Sequence, residues 1–256
     1  ITIKMKRTIL LLAICLVSNS CQINSSEEKA ELIERQHIFN ECLSAAHHHS
    51  GLIRTFREQA LPDLFNPNIL INHDGIVKEI DRISLSYLDA NGIEYNENEF
   101  RALSREILFD KIKTRSDQSV QISNELLNDL MGVLDFENID QIENDVSQVL
   151  FSEKYVSTSD ELFNICAVTA AVFVDSALYW DENINEWIDS QTDDVSTKCL
   201  DWDYLWSLIE PIIYADAEAA VAAAYIGAWL GPLDAVVIAA AAAIASIFAC
   251  MTSVAP

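Results

Sequence analysis

The chain has 256 residues, half of them apolar, and its 40 acidic and 16 basic residues give a formal net charge of −24 at pH 7. Such a charge repels phosphate backbones, which argues against nucleic acid as a partner and against electrostatic binding to anionic lipid. With 6 glycines and 5 prolines, the composition also argues against a loop-rich or all-β fold.

The first predicted element is a secretory leader. Lys6 and Arg7 precede the apolar run Thr8–Val17, and the small polar residues Ser18–Ser20 then lead to Cys21. This order is typical of a signal peptide, and the apolar run is too short for a stable membrane span. We expect translation to start at Met5 and residues 1–20 to form the signal peptide.

Cys21, directly after small residues, resembles the lipidated cysteine of Gram-negative lipoproteins. The resemblance implies a diacylglyceryl thioether on Cys21 and an acylated amino terminus, and more than one acyl chain makes anchoring stable. Residues 21–26 would then be a lipid-anchored tether. The alternative is an ordinary secretion signal that leaves Cys21 as a plain thiol. We therefore expect an exported protein, anchored to a membrane of the bacterial cell envelope through lipid.

Residues 27–152 are predicted to form an acidic region of amphipathic helices. Apolar side chains recur there at helical spacing in five stretches. These stretches are Leu32–Ala46, Ile76–Tyr87, Phe100–Ile107, Leu126–Val133 and Ile139–Val149. Spacings typical of a helix-capping box occur at Ser25–Glu28, Asn96–Glu99 and Thr158–Glu161. Gly51 is expected to interrupt the first helix.

Three consecutive histidines, His47–His49, are the obvious candidates for a metal site, together with His37 and Glu41. His37 and His48 would lie about 16 Å apart along a helix, too far to share an ion. His37 and Glu41 supply two ligands where zinc needs three or four. We therefore predict no metal site and place the three histidines at a solvated helix end.

Residues 153–256 are predicted to form an apolar helical core region. Its first helix, Leu162–Trp180, is apolar on nearly every side and therefore belongs in a core or in a membrane. Residues 181–203 are expected to form an acidic connector. Two Ala-rich helices, broken at Gly231-Pro232, then make a hairpin over residues 205–251.

Small residues recur every fourth position in the first arm of this hairpin and place a ridge on one helix face, which lets two backbones approach closely. The ridge comprises Ala215, Ala219, Ala223, Gly227 and Gly231. We favour a hairpin buried in a soluble domain, because Asp216 and Glu218 would be costly in lipid. Two alternatives remain: a membrane-inserting hairpin, similar in composition to that of pore-forming bacteriocins, and a surface for self-association.

Four cysteines follow Cys21, and an even number in an exported chain permits disulfides with three pairings. They are Cys42, Cys166, Cys199 and Cys250. Their wide spacing leaves no Cys-x-x-Cys redox or zinc motif. The alternative is that they are buried free thiols, which act as small hydrophobic side chains.

Three landmarks resemble an uncharacterised family of exported Gram-negative lipoproteins. They are the leader that ends at Cys21, the segment Asn72–Gly75, and the Tyr-Trp segment Ser176–Trp180 ahead of a small-residue-rich C-terminal tail that starts at Ala215-Asp216. In that family the first segment more often reads His-Asn and the tail is rich in glycine, whereas here Asp74 follows His73 and alanine replaces most glycines. The resemblance implies export and lipidation but no activity.

The predicted fold is all-α, an irregular helical bundle with a buried Ala-rich C-terminal hairpin. No nucleophile elbow, phosphate loop or dinucleotide motif occurs in the sequence, so we predict neither catalytic residues nor a cofactor. The predicted function is that of a non-enzymatic interaction or structural protein of the cell envelope, with an unidentified protein partner. The alternative is a secreted, toxin- or bacteriocin-like protein whose hairpin inserts into a target membrane.

Overall fold

A computed structural model of the chain describes residues 26–60, 73–109, 118–189, 202–226 and 232–253. Helices account for nearly all of these residues, and the described ranges contain no strand. The predicted all-α class is therefore confirmed. The predicted signal peptide and Cys21 lie outside the described residues.

Nine α-helices and one 3₁₀ helix lie in the described ranges. The α-helices are α1 Ser26–Gln59, α2 His73–Ala90, α3 Glu97–Phe109, α4 Gln118–Gly132, α5 Ile142–Leu150, α6 Glu153–Val156, α7 Asp160–Asp189, α8 Trp202–Ile226 and α9 Pro232–Ser253. The 3₁₀ helix Phe136–Gln141 leads into α5.

The chain divides into two compact units, residues 1–37 and 38–256. Of the first unit, the structure describes only the start of α1, where Arg35 pairs with Glu31 one turn earlier at 2.8 Å. The second unit contains the hydrophobic core.

Helices α7, α8 and α9 form the centre of this core, and α8 packs extensively on both of the others. Every residue of α7 from Ile165 to Ala177 is buried, and so is every residue of α9 from Ile238 to Ile244. On the predicted ridge, Ala219 and Ala223 are buried while Ala215 is partly exposed. Gly227 and Gly231 lie outside the described residues. Most of the described hairpin from Ala215 onwards is thus buried, as predicted, while Glu218 faces solvent.

One described helix, Asp160–Trp187 within α7, is long and apolar enough to cross a membrane, with a mean hydropathy of 1.7. However, 83% of its apolar window is buried inside the protein. Core helices of soluble proteins have the same character. The packing of α7 therefore accounts for its apolar composition.

Helix α1 runs parallel to α7 within the second unit. Phe39 packs on Phe151 with ring centroids 6.1 Å apart, and Phe151 packs on Phe163 at 5.9 Å. Towards the other end of both helices, Arg57 forms an ion pair with Glu186. One buried face of α1 is formed by residues that recur in steps of three and four: Phe39, Cys42, Ala46, His49, Ile53 and Phe56.

Two boundaries differ from the sequence prediction. Helix α1 continues through Gly51 to Gln59. A side chain at residue 51 would clash with Tyr87, so this glycine allows close packing rather than ending the helix. Helix α7 continues past Trp180 to Asp189, because Ile184 and Trp187 extend its buried face between the acidic residues. The first part of the predicted acidic connector is therefore helical.

Helix starts follow local capping chemistry. The Asn96 side chain accepts hydrogen bonds from the backbone N–H of Asn98 at 3.0 Å and of Glu99 at 3.3 Å, as its position predicted. At α7 the capping residue is Ser159, whose hydroxyl accepts from the Leu162 N–H at 3.4 Å. The hydroxyl of Thr158, which the sequence pattern favoured, instead donates to the Tyr155 carbonyl at 2.7 Å.

Candidate functional site

A polar cluster lies inside the second unit, where α1 meets α7, α8 and α9. We call it the histidine–aspartate cluster, and it comprises His47, His49, Ser50, Asp175, Ser176, Asp216 and Ser246. Five of its seven residues are buried in an otherwise apolar core. Buried polar groups are costly unless they are paired, so their geometry is informative.

His49 is the centre of the cluster and bridges two carboxylates. Its Nδ1 lies 3.1 Å from Asp175 Oδ2, and its Nε2 lies 3.3 Å from Asp216 Oδ2. The second contact has the geometry of an ion pair rather than of an aligned hydrogen bond. The His49 side chain is 0% exposed. One imidazole thus connects α1 to both α7 and α8.

Asp216 lies in the middle of the Ala-rich helix α8 and is also 0% exposed. Its Oδ2 accepts hydrogen bonds from the hydroxyl of Ser176 at 2.5 Å and from that of Ser246 at 2.8 Å. Charge-assisted hydrogen bonds of this kind are short and stronger than neutral ones. Asp216 is therefore held by one hydroxyl from α7 and one from α9, in addition to His49 from α1.

Asp175 binds the end of the histidine run on α1. Its carboxylate accepts hydrogen bonds from the Ser50 backbone N–H at 2.9 Å and from the Ser50 hydroxyl at 3.2 Å. Its Oδ1 also lies 3.1 Å from Nδ1 of His47, whose side chain is 78% exposed. The cluster therefore reaches the protein surface at His47.

The electrostatics of the cluster favour an imidazolium between two carboxylates. Burial lowers the pKa of His49, but the charges of Asp216 and Asp175 and the hydrogen bond to Asp175 outweigh it and raise that pKa to about 9. Burial likewise raises the pKa of Asp175, but the hydrogen bonds from His47 and His49 outweigh it and bring that pKa below its ordinary value. His49 is thus charged at neutral pH.

His48 has different surroundings from its two neighbours. Its Nδ1 lies 3.1 Å from the Tyr87 hydroxyl on α2, and the two rings pack edge to face. Burial and the nearby His47 lower the pKa of His48 below its ordinary value. Adjacent histidines on α1 therefore have pKa values shifted in opposite directions.

The serine, histidine and aspartate residues are those of a hydrolase triad, but their arrangement differs. The Ser176 and Ser246 hydroxyls bond to Asp216, whereas a nucleophile needs its base within hydrogen-bond reach. Both serines are 0% exposed. Within the part of the chain that the structure describes, no group of three or more His, Cys, Asp or Glu residues could hold a metal ion.

The prediction of a solvated helix end for the three histidines is wrong. They lie in the interior of α1, and only His47 is exposed. Two signals in the sequence indicate the true arrangement. Asp175 is the single acid between Leu162 and Trp180, and a lone carboxylate in an apolar helix requires a partner. His49 also occupies the next buried position after Phe39, Cys42 and Ala46.

Both cysteines whose side chains are described, Cys42 and Cys166, are free and buried. Cys166 precedes Asp175 by nine residues, which places it half a turn round α7, away from the face that contacts α1. Burial raises the pKa of each thiol to about 12, so both are unreactive in the folded protein. Cys199 and the side chain of Cys250 lie outside the description.

A scan against protein-family models, a search of curated proteins and a search of solved structures each find no match to this chain. The resemblance to exported Gram-negative lipoproteins therefore stays a prediction from short segments. Of those segments, Ser176–Trp180 lies within α7, and Asp216 lies within α8. Two of their residues, Ser176 and Asp216, meet in the histidine–aspartate cluster.

Proposed function

We propose that the chain is a lipid-anchored protein of the bacterial cell envelope whose helical domain acts through noncovalent interaction. The anchor is supported by the order of Lys6-Arg7, an apolar run, small residues and Cys21. The net charge of −24 favours a protein partner that is cationic where it makes contact, because opposite charges steer association.

The observation that carries the proposal is the complete burial of Ser176 and Ser246, which are 0% exposed. Both hydroxyls donate to Asp216, and no substrate in solution can reach them without opening the core. The polar groups of the cluster instead connect α1, α7, α8 and α9. These contacts fix the positions of the four helices relative to one another. A domain that binds a partner through a defined surface needs such fixed positions.

The burial of the hairpin also favours a soluble domain over a toxin-like protein that inserts into membranes. Insertion of α8 would transfer Asp216 into lipid and separate it from His49, Ser176 and Ser246. An ionised carboxylate is costly in hydrocarbon. The described hairpin residues already have apolar partners in the core, so the folded domain has little to gain from lipid.

The anchor is tested by replacing Cys21 with alanine and by a matched Cys199→Ala variant. We expect the wild-type protein and Cys199→Ala to fractionate with membranes and to carry an acyl mass on the N-terminal peptide. Cys21→Ala should move to the soluble exported fraction. An unmodified N-terminal peptide in the wild-type protein would refute the lipoprotein assignment.

The competing membrane-inserting function is tested by dye release from liposomes, using protein without its leader at pH 7 and pH 5. Our proposal predicts no release at either pH. Release that increases on acidification, and that disappears in Ala223→Asp, would establish the toxin-like function instead, because a charge on the hairpin opposes insertion.

A further inference from the structure

Four titratable side chains form a continuous path from the protein surface to the middle of the core. His47 Nδ1 lies 3.1 Å from Asp175, Asp175 lies 3.1 Å from His49 Nδ1, and His49 Nε2 lies 3.3 Å from Asp216. The exposed fractions of these side chains fall from 78% at His47 to 8%, 0% and 0% along the path. A proton from solvent therefore has a route to Asp216.

The path joins three helices through alternating imidazole and carboxylate groups. Around the path, α1 contributes His48 and Arg54, and α2 contributes Tyr87. Burial and the charge of Asp175 raise the pKa of Tyr87, and Arg54 opposes this rise only in part. The side chain that α9 contributes is the neutral Ser246 hydroxyl.

We propose that His47, Asp175, His49 and Asp216 form an acid-sensitive clamp that holds α1 on α7 and α8 while Asp175 is ionised and releases α1 when Asp175 is protonated. The reason is charge balance around His49. A proton on one carboxylate removes half of the negative charge that compensates a fully buried imidazolium, and a buried charge without its partner is strongly destabilising. The clamp does not depend on lipid anchoring.

The direction of the pH effect follows from the two groups that contact each other. The pKa of Asp175 is lower in the folded protein than its ordinary value. Ionised Asp175 therefore stabilises the fold fully at pH values above the ordinary pKa, and this stabilisation is lost as pH falls through the pKa of the folded protein. Over the same acidic range His49 keeps its proton, because its pKa is raised to about 9. Acid therefore neutralises Asp175 but leaves the cation in place.

Two native thiols report local opening of α1. Cys42 lies on the buried face of α1, whereas Cys166 lies on the face of α7 that points away from α1. Release of α1 should expose Cys42 and leave Cys166 covered. Global unfolding should expose both thiols together. The pair thus distinguishes a clamp from general acid denaturation.

The experiment labels the full chain with 4,4′-dithiodipyridine, which reacts with thiols in acid, and quantifies each cysteine-containing peptide by mass spectrometry. Rates at pH 7 and at a pH of about 2, well below the ordinary aspartate value, are each divided by that of a free cysteine peptide. We expect the normalised rate of Cys42 to rise by about tenfold or more on acidification, the effect of losing one paired charge, while Cys166 stays protected. Protection of Cys42 at both pH values, or simultaneous labelling of both thiols, would overturn the clamp.

A conservative pair of serine variants tests whether Asp216 helps to hold the clamp closed. Ser246→Ala removes a hydrogen bond to the Asp216 carboxylate, so Cys42 should be labelled faster than in the wild-type protein at the same pH. Ser84→Ala is the matched control, because Ser84 is also 0% exposed but its hydroxyl has no hydrogen-bond partner among the described residues. Equal labelling rates of Cys42 in the two variants would also overturn the clamp.

Discussion

His49 Nε2 lies 3.3 Å from Asp216 Oδ2, and neither side chain is exposed to solvent. Removing an ion from water costs several kcal/mol, so such a pair stabilises a fold only with further partners. Asp175, Ser176 and Ser246 supply those partners here. The result fixes the position of α1 along α7 and α8, because a shift by one residue would leave three charges unpaired.

Removing the imidazole should destabilise the fold strongly. His49→Ala leaves two buried carboxylates without their shared cation, so we expect the free energy of unfolding to fall by about 3–5 kcal/mol. Urea denaturation at pH 7, followed by circular dichroism, measures the loss.

The matched control for this prediction is His47→Ala on the same helix. His47 contacts the same carboxylate, but its side chain is 78% exposed, so the loss should stay below about 1 kcal/mol. Equal losses in the two variants would contradict the central position of His49.

The small-residue ridge of α8 offers a second matched pair. Ala223 is 0% exposed, so Ala223→Leu should overpack the hairpin and destabilise it by about 1–3 kcal/mol. Ala215 lies on the same ridge but is partly exposed, and Ala215→Leu should cost less than half as much. The melting temperatures of both variants test this prediction. An unchanged melting temperature for Ala223→Leu would place that ridge position outside the packed core.

Helix α7 is tested by a large-to-small substitution. Phe173 is 0% exposed, so Phe173→Ala should cost about 3–5 kcal/mol through lost burial and the cavity left behind. Leu178 on the same helix is partly exposed, and Leu178→Ala should cost clearly less. A loss below about 1 kcal/mol for Phe173→Ala, the range of surface substitutions, would mean that α7 is not a core helix.

Gly51 is tested through its contact with Tyr87. A Cβ atom at residue 51 would clash with the Tyr87 hydroxyl oxygen, so Gly51→Ala forces that ring to move. We expect a net loss of stability of about 1–2 kcal/mol, because strain outweighs the better helix propensity of alanine. In a Tyr87→Phe background the same substitution should cost at least about 1 kcal/mol less, and an unchanged cost would show that the hydroxyl is not the obstacle.

Periodicity predicted the helices well, because buried positions repeat every three or four residues in α1, α2 and α5. Gly51 favoured a helix end by its residue type alone, whereas it serves the contact of α1 with Tyr87, which is distant in the sequence. Periodicity also placed the end of α7 too early, at Trp180, because the acidic residues that follow concealed the buried positions Ile184 and Trp187.

The candidate site was harder to predict than the fold. The local sequence marks Asp216 only as a cost of membrane insertion and His49 as part of a solvated helix end, because their sequence neighbours carry no other signal. Their contact joins residues that are far apart in the chain, which no local spacing specifies. The lone Asp175 in an apolar helix was the strongest local signal that a buried cation had to be its partner.

The most direct measurement is an NMR titration of the imidazole resonances of His49 and His48 between pH 5 and pH 10. We predict that His49 stays an imidazolium at pH 7 and titrates near its pKa of about 9, while His48 titrates below its ordinary value of 6.5. Because the pKa of His49 is higher in the folded protein, its stabilisation is complete below pH 6.5 and is lost as pH rises through about 9. A His49 that is neutral at pH 7 would contradict the buried imidazolium between Asp175 and Asp216.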